Sequence, residues 1–161
     1  MKPATRGAVV EVWLRNEAGR AGVPQRRSFE TWVAAALRGA RRRRRTSVNL
    51  LIADEPAARD FNRRYRGRDY ATNVLSFPAD PLPDGNADAI GDLVLCAPVV
   101  AREAREQGKT ARDHYAHLTV HGVLHLLGHE HENEADAERM EALERRVLGG
   151  LGIRDPYLIE G

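Results

Sequence analysis

The chain has 161 residues, 42% hydrophobic and 30% charged, enough apolar material for one ordinary core, which excludes a disordered or fibrous chain. No run approaches the roughly 18 apolar residues of a membrane span, and the single cysteine, Cys96, excludes an intramolecular disulfide framework and a Cys-rich zinc finger. The net charge of +2 conceals a split: residues 1–68 carry 17 Lys and Arg against 6 Asp and Glu, a net of +11, and residues 69–161 carry 8 against 17, a net of −9. That asymmetry points to a polyanionic partner such as nucleic acid. A coding bias toward arginine explains 23 Arg against two Lys, but not the split between halves. The N-terminus has no long apolar segment before its charges resume, which predicts no secretory signal and a cytoplasmic address.

In chain order, residues 8–14 (AVVEVWL) predict a first strand, broken by Gly19 and Gly22. Residues 28–37 place Phe29, Trp32, Val33, Ala36 and Leu37 on one helix face. Five consecutive arginines occupy 41–45, and residues 47–53 (SVNLLIA) predict a second strand, so this stretch forms a parallel βαβ unit. Asp54 caps a helix with Pro56 in its first turn, running to Tyr65 before Gly67. Residues 73–77 predict a short strand stopped by Pro78, residues 79–89 a loop, residues 91–97 another strand, and Pro98 starts a helix through about Gln107. Residues 110–127 are apolar on most sides and predict a central buried helix ended by Gly128. Residues 132–148 predict a last amphipathic helix with Met140, Leu143 and Val147 facing in and Glu144 on the surface; Pro156 lies in a tail. The expected fold class is α/β (α+β): one domain over 1–161, with a small mixed β-sheet of about four strands packed with helices.

All six histidines lie between positions 114 and 131, whereas packing roles would scatter them. At about 100° per residue, His114, His117, His121 and His125 share a stripe about 80° wide. His121 and His125, at i and i+4, can reach one ion, but two imidazoles hold zinc poorly. A third ligand one turn earlier, His117, diverges along a straight helix by about 6 Å per step. A turn at Gly128 solves this. With positive φ it reverses the chain and lets His131 swing back over the helix end. His-x3-His-x2-Gly-x2-His then closes His121, His125 and His131 around one Zn2+, with a fourth position open for water. His129 competes, but is i+4 from His125 only if the helix continues through Gly128. His114 and His117 read as buried polar groups or as groups that orient the ligands. The spacing matches the metzincin protease signature HExxHxxGxxH, except that the general-base Glu is replaced by Gly122. Peptide hydrolysis loses its base, while metal-activated hydrolysis remains open.

The string HGVLHLLGHEH, residues 121–131, closely resembles the HGxLHLxGYDH signature of the YbeY-type endoribonucleases, the bacterial rRNA maturation factors. Residues 61–78, FNRRYRGRDYATNVLSFP, resemble that family's LNxxFRxxDxxTNVLSFP segment, and GDLVLC at 91–96 resembles its GDixI strand. The resemblance covers most of residues 45–148; the first 40 residues match only in element order. His129 stands for the family's Tyr, Glu130 for its Asp and Phe61 for its Leu, and none of these removes a proposed ligand. The resemblance implies zinc on His121, His125 and His131, and Arg66 as the functional arginine. It implies single-strand endoribonuclease activity in rRNA maturation, at the 16S 3′ end, and in ribosome quality control. Its implied partners are RNA, the small ribosomal subunit, and ribosomal proteins or a ribosome-associated GTPase as in the family. The chemistry agrees, because phosphodiester cleavage builds charge on non-bridging oxygens and an Arg fork stabilises it. Two other readings stay open: a metallopeptidase, and a non-catalytic zinc-stabilised RNA-binding module. A glutamate introduced at position 122 is expected to put a carboxylate near the phosphate.

Overall fold

The computed structural model describes residues 9–79, 88–128 and 133–157. In chain order the elements are β1 (Val10–Asn16), α1 (Arg26–Gly39), β2 (Thr46–Ala53), α2 (Glu55–Arg66), β3 (Val74–Pro78), β4 (Ala89–Cys96), α3 (Ala97–Glu106), α4 (Ala111–Leu126) and α5 (Glu134–Gly150). They match the elements expected from the sequence in order and type. The sheet order is β1-β2-β4-β3, with β1, β2 and β4 parallel and β3 antiparallel to β4 at the edge. Each parallel step is bridged by helix, as parallel neighbours require.

Period-two burial sets the sheet faces. Val48, Leu50 and Ile52 of β2 are buried, while Asn49 between them is exposed. On that buried face lies the main core, formed with Phe29, Trp32, Val33 and Leu37 of α1, Tyr115, Val123 and Leu124 of α4, and Met140 and Leu143 of α5. Phe29 meets Trp32 and Tyr115 edge-on at 5.2 and 6.0 Å between ring centroids. The other face holds a smaller cluster that includes Ala58, Leu75, Val94 and Cys96, with Phe61 and Phe77 packed against it. Cys96 is a small buried core residue, and burial pushes its thiol pKa up.

Helix ends follow their capping residues. Asp54 accepts from the Ala57 N–H (2.9 Å), Thr110 from the Asp113 N–H (3.1 Å) and Asn133 from the Asp136 N–H (2.8 Å). Gly122 sits where α4 crosses the sheet. A Cβ there would fall 2.7 Å from Leu93 Cδ2, so the missing side chain is what lets α4 lie on β4. This corrects the expectation for a glutamate at 122: its side chain would be driven into the helix–sheet contact rather than toward a phosphate, burying a carboxylate in an already filled core. Among the described residues no helix is long and apolar enough to cross a membrane.

Candidate metal centre

The histidine stripe of α4 faces α5 on one side and a cleft on the other. His121 and His125 are half-buried, and their rings stand 4.7 Å apart, as the i, i+4 spacing requires. Behind them α5 delivers Glu144, which is completely buried and not on the surface as its sequence position suggested. A buried carboxylate needs partners, and Glu144 has three among the described residues. The His121 Nδ1–H donates to Oε1 at 2.5 Å, the His117 Nε2–H to Oε2 at 3.3 Å, and the Tyr157 hydroxyl to Oε2 at 2.5 Å. Burial by itself raises the Glu144 pKa, but these bonds together with the His121 charge outweigh it and lower the value to about 2. Glu144 is therefore an anion. Its bond to Nδ1 sets the His121 tautomer and turns Nε2 away from the carboxylate.

The ligand atoms of His117, His121 and Glu144 lie within 4.8 Å of one another, a group able to bind a metal ion. One turn before His117, His114 is buried and donates from Nε2 to Glu103 Oε1 at 2.8 Å; burial lowers its pKa and Glu103 opposes that shift. Nδ1 of His114 and of His117 are buried with no hydrogen-bond partner among the described residues. His114 is thus buried and His117 partly buried, each with a carboxylate on Nε2. Gly128 has φ +94° and follows the last turn of α4, as the chain reversal requires. His131, with His129 and Glu130, lies outside the described residues.

The other wall of the cleft, of ≈ 680 Å³, is built by the end of α2 and by β3, and it brings Arg66, Thr72 and Ser76 opposite His121 and His125. Gly67, at φ 70°, ends α2 immediately after Arg66. The Arg66 guanidinium donates from Nη2 to the Ser76 carbonyl at 2.7 Å and lies 5.8 Å from the Phe77 ring centroid. Its neighbours are used elsewhere: Arg63 and Arg64 pair with Asp60, at 2.6 and 3.1 Å. Arg66 alone of these three lines the cleft.

Sequence reasoning missed Glu144 and Tyr157. Glu144 carried a signal: it lies among Met140, Leu143 and Val147, in the buried stripe of α5, where a charged residue must have a partner. Tyr157 follows the last helix and carried none.

The family model described as "Endoribonuclease YbeY" matches residues 15–152. Proteins named endoribonuclease YbeY from Stenotrophomonas maltophilia (strain R551-3) and Xanthomonas axonopodis pv. citri (strain 306) are each 55% identical over 159 residues, 95% of this chain and 97% of theirs. A protein of that name from Alkalilimnicola ehrlichii is 54% identical over 145 residues, 89% of this chain and 87% of its own. The solution structure of TM1509 from Thermotoga maritima has the same fold, with a TM-score of 0.55 at 21% identity over 92% of this chain and 100% of that one.

Proposed function

The chain belongs to the endoribonuclease YbeY family, and from that premise we propose that it is a single-domain, zinc-dependent endoribonuclease that cuts single-stranded RNA, with His121, His125 and His131 as ligands and Arg66 on the scissile phosphate. The observation that carries this reading is the cleft itself, which faces an arginine fork toward a histidine pair. Imidazole donors suit zinc among several divalent ions. Bound zinc supplies a Lewis acid and lowers the pKa of a coordinated water. The chain's own residues do the rest. Glu144 orients the His121 ring, and Ser76 and Phe77 hold the guanidinium where charge develops on the phosphate.

Glu144 acts as an orienting carboxylate rather than a ligand in this reading. Zinc ligands about 2.0–2.1 Å from a tetrahedral ion stand about 3.3 Å apart, whereas His121 Nδ1 and Glu144 Oε1 stand 2.5 Å apart and share a proton, which leaves the His121 Nε2 for the ion. Elemental analysis of purified variants tests the ligand set. We expect about one zinc per chain, lost in His121→Ala, His125→Ala and His131→Ala and kept in His117→Ala. Loss in His117→Ala with retention in His131→Ala would move the ion to the His117–His121–Glu144 group.

The arginine run at 41–45 stands at the end of the sheet where β2 and β4 begin, since Arg45 pairs with Glu11 and with Asp88. The last turn of α4 reaches that same end: Leu126 Cδ2 is 2.9 Å from where a Cβ on Gly91 would stand. Basic charge and histidine pair are thus available to one strand of RNA. Arg42 is bonded to Thr46 at 2.7 Å, whereas Arg43 and Arg44 are exposed. Replacing Arg43 and Arg44 by Gln is expected to flatten the salt dependence of RNA binding by up to about 1.4 in log–log slope, at about 0.7 per phosphate contact on a single strand. An unchanged slope makes the run a solvated loop. Within this reading the substrate is rRNA of the small ribosomal subunit, at the 16S 3′ end, and the partners are ribosomal proteins or a ribosome-associated GTPase, in the cytoplasm. Mapping of 16S 3′ ends in cells carrying only His125→Ala tests that assignment.

A further inference from the structure

We propose that Tyr70 forms a nucleobase subsite in the cleft, stacking on an unpaired base next to the phosphate held by Arg66. The inference rests on the endoribonuclease reading and adds to it a contact that recognises a single strand. Among the described residues four large hydrophobic side chains are strongly exposed: Val9, Trp13, Tyr65 and Tyr70. Trp13 and Tyr65 line a separate groove over the sheet. Tyr70, 51% exposed, lines the cleft that holds Arg66, His121 and His125.

The segment that carries Tyr70 is fixed before any ligand arrives. The buried Asn62 donates from Nδ2 to the Tyr70 carbonyl at 2.8 Å. Arg59 grips Asp69 with two parallel bonds of 2.8 and 2.9 Å. At the tip of the ring, Arg68 Nη1 donates to the hydroxyl at 3.3 Å, which puts a cation within reach of a neighbouring phosphate. A rigid aromatic face beside a phosphate-binding fork is the arrangement that holds unpaired nucleotides: every base has a π-face, and a base inside a duplex cannot offer it.

Short single-stranded oligoribonucleotides with 2-aminopurine placed at each position in turn test the subsite, using metal-free protein so that binding is read without cleavage. Binding to the wild type and to Tyr70→Phe is expected to quench one position strongly. Tyr70→Ala and Tyr70→Leu are expected to lose that quenching and to bind about 5- to 100-fold more weakly. An abasic nucleotide at the quenched position should weaken the wild type and leave Tyr70→Ala unaffected. If Tyr70→Ala and Tyr70→Leu bind and quench as the wild type does, while the metal-loaded wild type cleaves RNA, the subsite is wrong and the endoribonuclease reading stands. A wild type that neither binds nor cleaves RNA overturns that reading and the subsite with it.

Discussion

Arg66→Ala is expected to lower the rate of RNA cleavage by about 10²–10³-fold, the usual loss when a donor aimed at developing charge is removed. RNA affinity and metal content should fall far less. Arg66 lies across the cleft from His121 and His125, and its guanidinium is held by the Ser76 carbonyl and the Phe77 ring. Arg63 and Arg64 pair with Asp60 and do not line the cleft. Arg66→Lys should recover only part of the rate, because an ammonium group cannot make the two-pronged contact with a phosphate. Single-turnover cleavage at saturating protein, with zinc content and RNA affinity measured on the same preparation, separates these effects. Should Arg66→Ala cleave as fast as wild type, or His121→Ala cleave without metal, the activity belongs elsewhere and a zinc-stabilised RNA-binding module becomes the leading reading.

The second large effect is expected behind the ligands. Glu144→Gln keeps the volume of the side chain but removes the anion that His117, His121 and Tyr157 all address. Loss of such an orienting carboxylate costs about 10- to 100-fold in metal affinity. Glu144→Ala goes further: it leaves three partly buried donors without their acceptor and should lower stability as well as metal affinity. Tyr157→Phe removes one of the three bonds and should be the mildest. Competition with a chromogenic chelator gives the affinities, and melting of the metal-free proteins gives the stabilities. Zinc binding by Glu144→Gln as tight as by wild type would remove Glu144 from the site.

Local periodicity carried most of the fold. The spacing of Phe29, Trp32, Val33, Ala36 and Leu37 marks the buried face of α1, and each of these residues is in the core. The i, i+4 pair His121–His125 and the turn at Gly128 were legible because helix geometry and glycine's access to positive φ are local properties. What was not legible depends on elements distant in sequence. The insertion of β4 between β2 and β3 is a matter of tertiary pairing. Glu144 looks like any charge on an amphipathic helix until α5 is laid against α4, and the 22 residues between it and His121 carry no periodic link. Gly122 reads as an absent protease base, and only the packing reveals it as the point where α4 rests on Leu93.

The edge strand β3 has one more consequence. Its ladder to β4 runs through odd-numbered positions, with the Cys96 N–H on the Asn73 carbonyl and the Ala79 N–H on the Ile90 carbonyl, so the carbonyl of Ser76 turns to the open side. A row of such unpaired groups is a template for any extended chain, whether a peptide substrate or a second molecule adding edge to edge. The Arg66 side chain covers the Ser76 carbonyl and places a charge across that row. A charge across an open strand edge disfavours strand addition, and Arg66 stands where it would do so. Arg66→Ala is therefore expected to self-associate more readily than the wild type at high concentration, measured by light scattering.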